Sequence, residues 1–379
     1  MIARRVGVAA HLAIGVVVLG GAAYAFVAVV AHVFADPQDA GVLSALISLY
    51  LLTNIVGPGV FTPLEQQTIR AVSAAQLHDQ DLQPVIRRSA VLALWWATGV
   101  GLLVLASWPL GLDRVLDGRA VLLASLIAGI VGSGSAYWAR GVLGGQQRFR
   151  AYASTYYVEG AVRLVPCLVL LVLGVHAPEP YAFPLALGSL VAALGVARLL
   201  RAPASSGGPA GTHHMGRSLS LLVAAALLSQ TMANLAPVVV TYRSQDDLVG
   251  AAVFGSTFVL ARIPLFVFAA VLATLLASLT KAAARGDRDE LRRQLSRAAW
   301  LVALVGAAGV LGAVLVGPWA AEVLFSAAVP PSVLTLGALA FATLLMMLAL
   351  LVQAALVALG RPSAGVRASP SSSSCWPCP

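Results

Sequence analysis

Ten apolar runs, each long enough to cross a bilayer, constrain this chain more than any other feature. They fall roughly at residues 7–33, 41–61, 86–108, 119–139, 153–175, 181–200, 218–240, 249–278, 298–317 and 332–359. About 20 apolar residues suffice for a helix to span the hydrocarbon core. No water there satisfies a free backbone group, so runs of this length must be helical. A transmembrane barrel needs short strands with alternating polarity, and these runs are too long and do not alternate. Charged residues make up 10% of the chain, against roughly 25% in a soluble protein. The predicted class is an all-α integral membrane protein of about ten transmembrane helices. The first run follows Arg4 and Arg5 and extends to about Val33. That is too long for a signal-peptide core and lacks a small-residue cleavage site, so it reads as the first span.

The charges between the runs set a topology. If the N-terminus is cytoplasmic, the outer loops carry three cations (Arg114, Arg119 and Arg243) and eight acids. Nineteen cations fall on the inner side, and Arg163 and Arg262 lie within spans. Lys and Arg concentrate on cytoplasmic loops, so the N-terminus and the tail are expected in the cytoplasm of a multi-pass protein of the cell's inner (plasma) membrane. The same bias explains the net charge of +9 without a nucleic-acid partner.

The stretch 201–217, RAPASSGGPAGTHHMGR, has the composition of a flexible linker. It divides six spans (residues 1–200) from four (218–360). Its adjacent His213 and His214 lack the further ligands that a metal site needs, and no metal or cofactor is expected. A faint repeat joins the halves. Thr68–Arg70, Asp79, Asp81, Arg87 and Arg88 follow span two, and Thr280-Lys281, Asp287, Asp289, Arg292, Arg293 and Arg297 follow span eight. Both stretches read as short amphipathic cytoplasmic helices, and paired halves are typical of transporters. Residues 361–379, RPSAGVRASPSSSSCWPCP, read as a disordered or out-of-frame tail. Cys375 and Cys378 have redox-motif spacing but no βαβ context.

Charges inside the spans are the candidate functional groups, because a buried ionisable residue there faces a bundle interior or a watery cavity. The stretch 129–166 reads as an apolar helix ending near Trp138, a basic turn with Arg140, Arg148 and Arg150, and a second helix. On that second helix Tyr152, Tyr156, Glu159 and Arg163 share one face. Glu159 precedes Arg163 by four residues, the favourable order for a helical ion pair. Arg262, in the middle of span eight, lies too deep to snorkel, and Pro264 beside it should loosen the helix. Its guanidinium can hold a phosphate or carboxylate with paired donors, or pair structurally with Glu159. Gln230, Asn234, Pro237 and Thr241 form a stripe on span seven, and Tyr50, Asn54 and Gly57 form one on span two. Such amides can line a sugar-accommodating cavity or join helices.

Enzymatic patterns are missing. The sequence has no Walker A lysine loop, no dinucleotide fingerprint, no HExxH and no GxSxG, and its histidines are scattered. The chain is therefore not expected to be an enzyme.

The run Tyr137-Trp138-Ala139-Arg140-Gly141 to Gly145, then Arg148-Phe149-Arg150-Ala151-Tyr152, Glu159-Gly160 and Arg163-Leu164, resembles the fourth-to-fifth helix hairpin of bacterial oligosaccharide flippases. These form the polysaccharide-export branch of the MATE-like MOP superfamily. Arg262-Ile263-Pro264 and the run to Thr280-Lys281 resemble the early second-lobe helix of that branch. The resemblance covers most of residues 1–360. It implies two six-helix lobes around a cavity, alternating access and coupling to H+ or Na+. The implied cargo is a lipid-linked oligosaccharide, a polysaccharide precursor held among membrane lipids. Arg262 and Arg163 would hold its pyrophosphate and Glu159 would couple or pair, while Asn54, Gln230 and Asn234 of the amide stripes are the further candidate substrate-binding residues. The second lobe here has four spans where the resemblance implies six, as though the chain were truncated at its C-terminus. Besides a non-transporting scaffold, which the short second lobe leaves open, two other functions fit a polytopic chain. One is a drug/cation antiporter of the same fold, which would favour an acidic cavity over two arginines facing one glutamate. The other is a membrane enzyme of glycan assembly, a polymerase or ligase, which would carry a large outer loop.

Overall fold

The computed structural model describes residues 2–200, 215–265, 268, 288–325 and 329–359. The 201–214 part of the linker, the end of span eight with Thr280, Lys281 and Asp287, and the 360–379 tail lie outside the described residues. Twelve α-helices occur among those described. They are α1 (Ile2–Val33), α2 (Ala40–Leu77), α3 (Gln83–Ser107), α4 (Leu112–Val115), α5 (Ala120–Gly145) and α6 (Phe149–Val172). There follow α7 (Glu179–Val196), α8 (Met215–Arg243), α9 (Leu248–Leu260), α10 (Arg288–Leu315), α11 (Gly317–Phe325) and α12 (Val333–Leu359). No strand occurs among the described residues. Among the described residues ten helical stretches are long and apolar enough to cross a membrane, and they fall on the ten expected runs. The chain is an all-α, multi-pass membrane protein.

Local chemistry sets the helix ends. The Asp36 carboxylate accepts from Gln38 N at 2.8 Å and starts the short turn ahead of α2. Asp247 caps α9 by accepting from Gly250 N at 2.8 Å. Each satisfies one of the orphan donors at a helix start. Gly111 closes the turn before α4 at φ 119°, where a Cβ would also stand 2.5 Å from the Tyr242 ring. Glycine is the residue that reaches this backbone region without strain.

The chain divides into two compact units, residues 1–261 with 314–336, and residues 262–313 with 337–379. In the first, α2 is central and packs on α5 and α8, while α1 packs on α6, and α7 on both α5 and α6. Near one end of α2, the Ser44 and Ser48 hydroxyls meet that of Thr241 on α8, at 2.7 and 3.3 Å. Near the other, Val72, Ala75, Val85, Ile86, Val142 and Leu143 form a core with Val196. Trp138 ties this core to α3 by donating its indole N–H to Ser89 Oγ at 3.1 Å. In the second unit Phe268, Ala298, Val302, Met347 and Leu351 pack together.

Two local expectations are corrected. The connector after span two is no separate helix, because α2 runs unbroken for 38 residues through Pro58 and Pro63. Neighbouring helices and local adjustments let a spanning helix tolerate proline. Likewise α5 does not stop near Trp138 but continues to Gly145, so Arg140 belongs to a helix and not to the basic turn.

Candidate functional site

Glu65, Arg140, Glu159 and Arg163 come together in the first unit. Glu159 lies on α6, one turn before Arg163, and donors close on its carboxylate from three helices. The Arg163 Nη2 group donates to Oε1 at 2.5 Å, and Ser189 Oγ on α7 donates to the same oxygen at 2.6 Å. Arg140 on α5 pairs with Oε2. Exposures are 2% for Arg140, 3% for Glu159 and 8% for Arg163, so the ions are sealed from solvent. Burying an isolated charge is costly, and pairing with hydrogen bonds offsets that cost.

Packing fixes the two guanidiniums. Arg140 Nε donates to Thr155 Oγ1 at 2.9 Å, and the guanidinium lies 4.2 Å from the centre of the Tyr156 ring and 5.3 Å from that of Tyr137. A cation over an aromatic face is attracted by the ring quadrupole. Arg163 lies against Gly188, where a Cβ would come within 2.9 Å of its Cγ. Its Nε is buried without a hydrogen-bond partner.

A second carboxylate sits beside this cluster. Glu65, on α2 two residues after Pro63, is 6% exposed. It accepts a hydrogen bond from the Tyr152 hydroxyl, which lies 3.4 Å from the Tyr156 hydroxyl. Arg140 acts on it electrostatically. The seam that brings α2 to α5 here is made by glycines. A Cβ on Gly141 would stand 2.7 Å from Thr68 Cβ, and one on Gly145 would stand 2.5 Å from Val72 Cβ.

The structure thus joins Glu159 to Arg163, as their spacing implies. It adds three residues that the sequence reading did not place there, Arg140, Glu65 and Ser189. A signal for Glu65 was present, since Phe61, Leu64, Thr68, Val72 and Ala75, all buried, continue one face of α2 at helical spacing past the expected end of the span. Gln230 and Asn234 meet on α8, where Asn234 Nδ2 donates to Gln230 O at 3.1 Å. Gln230 lies beside Gly59 of α2. Asn54 donates back to Tyr50 O at 2.8 Å, and Gly57 faces Ser133 on α5. Arg262 is partly exposed in the turn that ends α9, and its carbonyl accepts from Leu265 N at 3.0 Å. Both Glu159 oxygens are already occupied by Arg140, Arg163 and Ser189. Among the described residues no group of three or more His, Cys, Asp or Glu could hold a metal ion.

The fold has solved counterparts. A multidrug resistance MATE family transporter of the MOP superfamily, in an inward-facing conformation, superposes with a TM-score of 0.63 at 15% identity. The match covers 92% of this chain and 84% of that one. An outward-facing conformation of such a transporter gives 0.56 at 13% identity, over 93% and 82%. A MOP superfamily transporter from Pyrococcus furiosus, described as having a binding pocket whose reverse polarity suggests a different function, gives 0.58 at 13%, over 93% and 82%. No protein-family model matches the sequence, and no curated protein matches it significantly. The fold is that of the MATE transporters.

Proposed function

We propose that this chain is a transporter working by alternating access, and that its cargo is a lipid-linked oligosaccharide. The observation that carries the transport reading is the fold, matched over 92% of the chain by a transporter in an inward-facing conformation and over 93% by an outward-facing one. Buried charge inside spans supports it, because such groups are costly to keep. The division at the 201–217 linker, the cytoplasmic N-terminus and the inner-membrane location belong to the same reading.

The cargo reading rests on Arg262. A guanidinium at a break in a spanning helix, next to Pro264 and partly exposed, suits a pyrophosphate that must be gripped and released. In this reading Arg163 and Glu159 are positioning residues, because their charges are closed on one another and on Arg140. Asn54, Gln230 and Asn234 remain the proposed polar lining. A specific observation favours the second reading, a drug/cation antiporter. Glu65 carries no guanidinium pairing of its own among the described residues, and an organic cation could meet it.

The test uses the purified protein in sealed vesicles with two probes, a fluorescent polyprenyl-pyrophosphate oligosaccharide and ethidium. Flipping of the first, faster than in empty vesicles and lost in Arg262→Ala, is the expected result. Movement of ethidium alone would replace the glycan reading with the antiporter one. Movement of neither would remove both.

A further inference from the structure

We propose that Glu65 is a proton-binding site, the carboxylate through which this protein takes up and releases H+. Its use in coupling rests on the transport reading above, but proton binding itself does not.

The geometry separates the two buried glutamates. Glu159 has a guanidinium on each oxygen and the Ser189 hydroxyl besides. It is held as an ion by its surroundings. Glu65 is nearly as deeply buried, yet its side-chain hydrogen bond comes from one neutral phenol, that of Tyr152. The cation within electrostatic reach is Arg140. Two of that guanidinium's three nitrogens are already engaged, Nε on Thr155 and Nη2 on Glu159, and its ion pair is with Glu159, not Glu65. A buried carboxylate without its own counter-ion changes charge more readily than one locked between two cations.

The groups facing Glu65 come from two helices. From α5 they are Arg140 and Tyr137, and from α6 they are Tyr152 and Tyr156, with Glu159 beyond them on the other side of Arg140. On α8, the other main neighbour of α2, Leu227 and Gln230 lie beside Gly59, further along the helix. Proton uptake is a single transfer. Hydronium gives its proton to a Glu65 oxygen, an O–H bond forms, and water leaves. The Tyr152 hydroxyl, 3.4 Å from that of Tyr156, is then free to turn toward it. Tyr156 in turn lies under the Arg140 guanidinium. Protonation of α2 is thereby felt at the α5–α6 ion cluster. Pro63, two residues before Glu65 on α2, also lacks the backbone N–H that would stiffen the helix there.

The measurement is an infrared pH titration of the purified protein in lipid vesicles, with no cargo present. It runs from about pH 9 to about pH 5, a range in which ordinary exposed carboxyls stay largely ionised. The expected result is a protonated-carboxyl C=O band that grows as the pH falls. It should be absent in Glu65→Gln, moved to lower pH in Glu159→Gln, which leaves Arg140 without its counter-ion beside Glu65, and shifted in frequency in Tyr152→Phe, which removes its hydrogen-bond donor. A band that persists in Glu65→Gln would overturn the proposal, as would the lack of any titrating band in the parent protein. Should Glu65→Gln fail to assemble, Tyr152→Phe decides, and an unmoved band there overturns the assignment. A titrating Glu65 in a protein that moves neither vesicle probe would leave the proton site standing and remove the transport reading.

Discussion

Arg140 of α5 and Glu159 of α6 are ion-paired inside the helix bundle, with 2% and 3% of their surfaces exposed. Arg163 completes the pair from the other carboxylate oxygen. One anion thus holds two cations, and losing different members should cost different amounts. Glu159→Gln leaves two guanidiniums buried without their counter-ion and is expected to destabilise by about 3–5 kcal/mol. Arg163→Met leaves Arg140 and Glu159 matched and is expected to cost about 1–3 kcal/mol. Denaturant unfolding of the purified protein in detergent measures both, and equal losses would mean that Glu159 is not shared.

The α2–α5 seam gives a contrast within a single residue type. In Gly145→Ala the new methyl would meet Val72 Cβ at 2.5 Å and Cγ1 at 2.7 Å, and overpacking of this kind costs about 1–3 kcal/mol. Gly99 and Gly101 on α3 have nothing within 4 Å of such a methyl. There alanine should stabilise by up to about 1 kcal/mol through helix propensity alone. Thermal unfolding of the three variants reads the opposite signs.

These glycines also mark the limit of what was legible in the sequence. The ten spans could be read because some 20 consecutive apolar residues admit one solution in lipid. The Glu159–Arg163 pair could be read because four residues is one helical turn. Arg140 could not, because Gly141, Gly144 and Gly145 carry the composition of a turn. In the structure they let two helices approach closely within a continuing α5. Glu65 was hidden for a related reason. It stands in the polar stretch Glu65-Gln66-Gln67-Thr68, which reads as a cytoplasmic connector unless the buried face of α2 is followed past Pro63.

Outside the spans, Arg119 bonds Asp117 through Nε and Glu179 through Nη1, each at 3.0 Å, and joins the loop before α5 to the start of α7. The Asp117 hydrogen bond is the main influence raising the Arg119 pKa above the usual arginine value, so the guanidinium stays charged throughout the working pH range. All three side chains are about one-third exposed, where water and salt screen the pairing. Arg119→Ala is therefore expected to cost no more than about 1 kcal/mol. Unfolding at low and high salt checks this, with the difference from the parent shrinking as salt rises.

Alternating access is tested most directly at Gln230, which shares the α8 stripe with Asn234 and lies beside Gly59 of α2. A single cysteine placed there, with Cys167, Cys375 and Cys378 replaced by alanine, can be probed in sealed, oriented vesicles. A membrane-impermeant maleimide is added from one side or the other. A position in the transport path should be labelled from both sides, each as the protein opens that way. Labelling from one side only, or from neither, while a cysteine in an outer loop reacts normally, would contradict the account.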